Sequence, residues 1–452
     1  MPDLSKYQVD HLFLLVGGNP LPNAVVGKLL IASNGTITLI HSKDTMKIAQ
    51  SLSAWFTKHG VVENSKINLK EVEESSAVSI VQGMQDRLKA FTPTRVGLHY
   101  TGGTKMMAVH AYRAMEQWTE KGATPKFSYL DARTLQLIFD SFNSSERKVY
   151  VGEELKLKLT DLLELHGWEL KNVPSKTALL SNTARALART CGNVVAFNAW
   201  KEWTCNELRS KCRHTNKDKW KSKTDLLSVQ LILPQDELLK EVVDSLRFEL
   251  KQPEGDLGLS HAVFENKPVN FCAWLDGKWL EHYVLDILNA LASSVNLHEL
   301  AQNIVPQEVE FDVDVIALRG YQLFALSCST DTETGGGGGK ARLKFKLFEA
   351  YVRARQLGGD EAQVALVCCC SDPDELQHEM RRDVDLEGRI RVFGRAQLTD
   401  LSTHITRWIK SLTLRSQPNR MELTQGLESN LQSMQIEFGL ERKMVKLSRD
   451  FQ

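Results

Sequence analysis

"VGLHYTGGTKMMAVHAYRAM" (residues 96–115) is the stretch on which the fold reading turns. An apolar run stops at Tyr100, two glycines follow, and a helical pattern starts at Lys105. A strand that runs through a glycine turn straight into a helix aims several backbone N–H groups at one point. The helix start adds roughly half a unit of positive charge there, so the turn favours phosphate. Bare glycines let a ligand approach without a Cβ in the way. Thr101 and Thr104 bring hydroxyls to Gly102 and Gly103, and Lys105 brings a full charge. A second turn of this kind is "VGGNPLPNAVVG" (16–27). Each alone reads more simply as plain turn geometry; two together, one ending in lysine, favour an anion site. Neither fits GxGxxG or GxxxxGK[ST], which argues against a standard dinucleotide or P-loop site.

Working outward, "HLFLLV" (11–16), "TITLIHS" (36–42), Ile67 to Val72, "RVGLHY" (95–100) and "KFSYLDA" (126–132) read as strands. Helical patterns separate them, among them "TMKIAQSLSAWFTKHG" (45–60), closed by Gly60. Alternation of this kind predicts an open parallel sheet covered on both faces, with both glycine turns at its carboxyl edge. This first domain is expected to span residues 1–150. Residues 151–265 turn mostly helical, and the basic run "KCRHTNKDKWKSK" (211–223) offers Trp220 to a base or, more plainly, forms a solvated loop. Residues 266–415 change to helix, hairpin, helix, strand, with "EVEFDVDVIAL" (308–318) and "YQLFALSCST" (321–330) paired across Arg319-Gly320. Residues 416–452 read as a polar, peripheral tail.

The whole chain of 452 residues is 42% hydrophobic and 25% charged, with 56 basic and 56 acidic residues. That balance excludes a protein that coats nucleic acid or membrane through its global charge. The start lacks an apolar run long enough for a signal peptide, and no stretch reaches the length of a membrane span. Eight cysteines without a CxxC pair fit reduced thiols and a cytoplasmic location rather than zinc or disulfides.

"LFLLVGGNPLPN", "HYTGGTKMMAVHA" and "FSYLDA" resemble the CARF domain of CRISPR-associated effectors. The resemblance runs on through "LLELHGWEL", "KTALLSNTARALA" and "GKWLEHYVLDIL", and is closest to the group in which CARF is fused to a restriction-endonuclease-like domain. It implies an α/β fold: a Rossmann-like CARF domain, a helical middle region and a PD-(D/E)xK nuclease-like α/β domain. It also implies a homodimer that binds a cyclic oligoadenylate, usually cyclic tetra-adenylate, made by a type III CRISPR complex. Ligand contacts carried over are Gly17, Gly18, Asn19, Asn23, Thr101, Gly102, Gly103, Thr104 and Lys105.

The same resemblance implies a nuclease acting on RNA or DNA with Mg²⁺ or Mn²⁺. Such sites need an Asp within one strand and Glu-x-Lys at the end of the next, the lysine orienting or deprotonating water. Glu281 matches the accessory acid of the preceding helix, and Asp314, or Asp312 two residues earlier, the strand Asp. The next strand ends Ser327-Cys328-Ser329-Thr330, without either charged group. A neutral serine cannot replace a carboxylate's charge on a divalent ion. In one reading the function has moved to the following helix: Glu349 joins Asp314 as a metal ligand, and Lys340, Lys344 or Lys346 assists the water. In the other the site is degenerate, and ligand binding drives only a conformational or assembly change. A third class, a ligand-controlled transcription factor using residues 155–260, lacks a helix-turn-helix with a basic recognition helix. A serine hydrolase is weaker still, since Ser327 lies in no GxSxG elbow.

Overall fold

The structure, a computed structural model, describes residues 3–416 apart from 90–94, 120–124, 141–146, 216–218, 253, 310–311, 334–337 and 385–387. The polar tail from 417 and most of the pentaglycine run therefore lie outside the described residues.

Seven strands form the first sheet: β1 (Val9–Leu15), β2 (Ile31–His41), β3 (Ile67–Glu71), β4 (Val96–His99), β5 (Lys126–Asp131), β6 (Gln136–Phe139) and β7 (Arg147–Tyr150). Their order is β3-β2-β1-β4-β5-β6-β7, parallel through β5 and antiparallel at β6 and β7. Alternation along β1 explains the covering on both sides. Leu12 and Leu14 face a cluster with Val25, Leu52 and Phe56 from the helices Leu21–Leu30 and Met46–Lys58. Phe13 and Leu15 face another, with Ile80 from Ala77–Lys89 and Met107 and Ala111 from Lys105–Thr119. A strand buried on both faces reads as a continuous apolar run, as "HLFLLV" does. The pairing Leu14↔His99 sets the carboxyl ends of β1 and β4 side by side, so the two glycine turns meet.

The next segment is mainly helical, with Leu159–His166, Ser181–Gly192, Val194–Trp203 and Lys240–Leu250, plus a short ladder of β8 (Gln230–Leu231) and β9 (Leu257–Gly258). Trp220 does not stand free here: the Arg213 guanidinium lies over its ring at 4.5 Å and is itself bonded to Asp276 at 2.6 Å. That occupies one ring face that the sequence reading offered to a base.

After the helix Trp279–Leu291 a second sheet follows in the order β10 (Glu299–Ile304), β11 (Val313–Arg319), β12 (Gln322–Ser329), β13 (Gln363–Cys368), β14 (Ile390–Phe393). The first three strands are antiparallel and the last three parallel. The hairpin turns at Arg319–Gln322, as expected, but its first strand starts at Val313 rather than 308, and β10 was not foreseen. The helix Gly339–Gly358 covers one face of this sheet through Leu343 and Leu347, within the same apolar cluster that holds Leu14 and Leu162. The core is thus continuous from the first sheet, through Leu159–His166, into the second. All eight cysteines are free, and Cys205 is the exposed one. Among the described residues no helix is long and apolar enough to cross a membrane.

Candidate functional site

The glycine turns are in backbone contact. A Cβ placed on Gly17 would lie 2.8 Å from the Gly103 nitrogen, and one on Gly102 would lie 2.2 Å from the Leu15 carbonyl oxygen. Gly103 also needs its positive φ of 75°, which side chains disfavour. Around Gly18, by contrast, a Cβ would meet nothing within 4 Å, so the approach to that backbone is open. Thr104 Oγ1 accepts the Met107 N–H at 3.2 Å and so caps the following helix. Thr101 Oγ1 accepts the Leu130 N–H at 2.7 Å, tying the turn to β5. Lys105, the first helical residue, is exposed.

The two asparagines differ. Asn23 is wholly buried; its Nδ2 donates to Leu15 O at 2.9 Å and its Oδ1 has no hydrogen-bond partner among the described residues. It braces the turn from beneath. Asn19 stands in the loop itself, where Oδ1 accepts the Leu21 N–H at 3.0 Å and Nδ2 donates to Glu361 Oε2 at 3.3 Å. Sequence reasoning did not find Glu361, and no local signal links residues 342 positions apart. Nor did it find Tyr100, whose hydroxyl donates to the Asp140 carboxylate at 3.0 Å and whose ring lies 5.8 Å from that of half-exposed Tyr129.

The second cluster lies at the hairpin. Asp314 Oδ2 accepts the Ser327 hydroxyl at 3.0 Å and the Cys328 N–H at 2.7 Å, and Lys346 Nζ is 3.5 Å away. Lys346 reaches this point from the covering helix and also donates to the Cys328 carbonyl. Burial works against its charge, but Asp314 and Glu281 outweigh it and push its pKa up. Glu281, 7% exposed on the helix Trp279–Leu291, titrates near 7: burial raises it, Asp314 raises it further, and Lys278 and Lys346 pull the other way. Its Oε2 has no hydrogen-bond partner among the described residues, with Lys278 Nζ 3.9 Å off. Asp312, Asp314, Ser327, Lys346, Glu349 and Arg353 line a cleft of about 30 Å³, room for one water or one ion.

The helix lysines therefore part company. Lys346 is at Asp314, whereas Lys340 pairs with Glu375 and Glu379 at 3.1 and 2.9 Å, and Lys344 with Glu379 and Asp383 at 2.8 and 3.5 Å. Those two bind the neighbouring helix Pro373–Val384. Glu349 lines the cleft while pairing with Arg353 one turn on. A buried carboxyl with an orphaned oxygen, raised by a second carboxylate beside it, gains from a shared cation, so Glu281 and Asp314 suit a divalent ion.

Two α/β units joined through a helical segment, one with paired glycine turns and one with a carboxylate–lysine cleft, describe the class. Among solved structures, the chain shares its fold with the protein VC1899 from Vibrio cholerae, at 16% identity and a TM-score of 0.62 over 89% of this chain and 98% of that one. It is likewise similar to Can2 from Sulfobacillus thermosulfidooxidans, solved in complex with cyclic tetra-adenylate, at 15% identity and a TM-score of 0.61 over 90% and 98%. No protein-family model and no curated protein matches the chain.

Proposed function

We propose that the chain is a CARF-type effector of type III CRISPR antiviral defence. It binds a cyclic oligoadenylate, foremost cyclic tetra-adenylate, across the glycine turns of a homodimer and answers with metal-dependent cleavage of RNA or DNA. The observation that carries the enzymatic half is Lys346 Nζ at 3.5 Å from Asp314, with Glu281 coupled to both. In this reading Lys346 brings from the next helix the positive charge that Ser329 lacks. A fold shared with a protein solved bound to cyclic tetra-adenylate supports the sensing half. Free, mostly buried thiols go with a cytoplasmic location.

In this reading Gly17, Gly18, Gly102 and Gly103 present backbone N–H groups to the ring's phosphates, Thr101 and Thr104 add hydroxyls, and Lys105 adds charge. Asn19 contributes from the rim and Asn23 from below. At the other end Asp314 and Glu281 would hold Mg²⁺ or Mn²⁺, with Asp312 and Glu349 on the nearby cleft wall. A bound ion supplies Lewis acidity toward a phosphodiester. Ser327 and the Cys328 N–H orient Asp314, and Lys346 steadies the attacking water or the phosphate it meets.

Labelled RNA, single-stranded DNA and duplex DNA, incubated with Mg²⁺ or Mn²⁺ with and without cyclic tetra-adenylate, test the whole proposal. Cleavage that requires both ring and metal is expected. Ring binding without cleavage of any substrate would instead establish the second reading, a ligand-binding effector with a degenerate nuclease domain. That reading has an observation behind it: Asp314 Oδ2 is already satisfied by Ser327, Cys328 and Lys346 without an ion.

A further inference from the structure

Glu361 is fully buried at the entrance of β13, facing the first glycine turn across the contact between the two units. Asn19 Nδ2 donates to its Oε2, while its Oε1 has no hydrogen-bond partner among the described residues. The approach is tight: a Cβ on Gly359 would come within 1.9 Å of Asn19 Nδ2, and Gly359 has a φ of 66° that only glycine tolerates well. On its other side the Glu361 carbonyl accepts Gln322 Nε2 at 3.0 Å. Gln322 opens β12, the strand that ends at Ser327 and Ser329, and Ser327 holds Asp314.

We propose that Glu361 is a positioning residue that makes the hairpin carrying Asp314 sensitive to an anion seated on the glycine turns, its carboxyl meeting Asn19 and its main-chain carbonyl meeting Gln322. This rests on the ligand reading given above. A phosphate on the Gly17–Gly18 amides adds negative charge one side chain away from a buried carboxyl. Like charges at that range disfavour ionisation, so the carboxyl takes a proton from solvent. The Asn19 amide then loses its carboxylate acceptor and turns to the phosphate, a stronger one. Burial already holds Glu361 near 7, which puts the exchange in the working range. The groups facing it are Asp360, which Arg355 and Arg389 both neutralise, Tyr129 on β5 and Tyr321 at the hairpin turn. Neither tyrosine ionises near neutrality, since burial raises both.

Titration calorimetry with cyclic tetra-adenylate at pH 6.5 and pH 8, on wild type and Glu361→Gln, tests this. Glutamine keeps an acceptor for Asn19 and removes the ionisation. Wild-type affinity is expected to fall with rising pH, by at most about tenfold per pH unit, while Glu361→Gln stays within about twofold and loses part of the ring's stimulation of cleavage. Should the variant fail to fold, wild type alone decides: in two buffers of different ionisation heat, binding at pH 7.5 should take up a fraction of a proton per chain. Binding with no proton uptake, or an equal pH slope in the variant, overturns this inference alone. Absence of binding by wild type at either pH overturns the ligand reading and this inference with it.

Discussion

Replacing Glu281 with glutamine should stabilise the protein at alkaline pH and remove its stabilisation by metal. The carboxyl titrates at about 7 instead of 4.5, because it is buried and because Asp314 is close. Ionising it in the folded chain therefore costs about 3 kcal/mol more than in the unfolded one. Local relaxation and water entry reduce that, and about 1.5 kcal/mol is a working figure. A group raised in the fold contributes stability that is fully present below about 4.5 and lost as pH rises through about 7. Wild type should therefore lose stability between pH 5 and 8, and Glu281→Gln should not lose this component. At pH 8 the variant's melting transition should lie higher by roughly 1–2 °C. Mn²⁺ offers the ionised pair a shared counter-charge, so it should raise the wild-type transition at pH 8 and leave the variant nearly unmoved. Differential scanning calorimetry at pH 5, 7 and 8, with and without Mn²⁺, reads both effects. If Mn²⁺ raises both proteins equally, or if the variant is no more stable at pH 8, Glu281 is not the strained member of a cation site and the cleft has been misread.

Lys105→Ala should weaken cyclic tetra-adenylate binding about tenfold to hundredfold, the effect of losing one charge-assisted contact; unchanged affinity by calorimetry would remove Lys105 from the site. Lys346→Ala should lower ring-stimulated cleavage by about 10²–10⁴-fold, while Lys340→Ala, whose partners are Glu375 and Glu379, should stay near wild type. Equal losses in both variants would mean that the basic face as a whole, rather than one lysine, serves the reaction. Light scattering should give twice the 51.0 kDa chain mass with the ring present, since a ring of repeated phosphates fits a two-fold site; a monomer at saturating ligand contradicts the proposed assembly.

The glycine turns were legible because each lies between an apolar run and a helical period, and both features are local. The central strands were equally plain: apart from half-buried Asp10, β1 and β4 are buried along their length, and His11 and His99 are their other polar residues. The edges were not. β7 is four residues, "RKVY", half exposed with two adjacent charges, and β10, "ELAQNI", contains a single β-branched residue. Such strands form because a neighbour offers unpaired backbone groups, a tertiary cause that no window of sequence contains. The hairpin was seen with its start displaced, since the alternation of "EVEFDVDV" continues beyond the ladder that begins at Val313. Among four charged candidates on the helix Gly339–Gly358, sequence could not rank the lysines. Their different fates depend on whether Asp314 or the acidic helix Pro373–Val384 lies on the side each one faces.

The interlocked glycine turns also bear on time. Gly17 and Gly103 already touch through their backbones, Gly102 fits against Leu15, and Thr104 and Asn19 hold their own loops in shape. Little chain needs ordering before a ligand can dock, so encounter is governed by diffusion and by the pull of Lys105 on a polyanion. Affinity is then written mainly in the rate of departure. In the proposed role, turns built this way would register a new messenger as soon as it is made, and how long the signal outlasts the messenger's destruction would depend on residence at these turns.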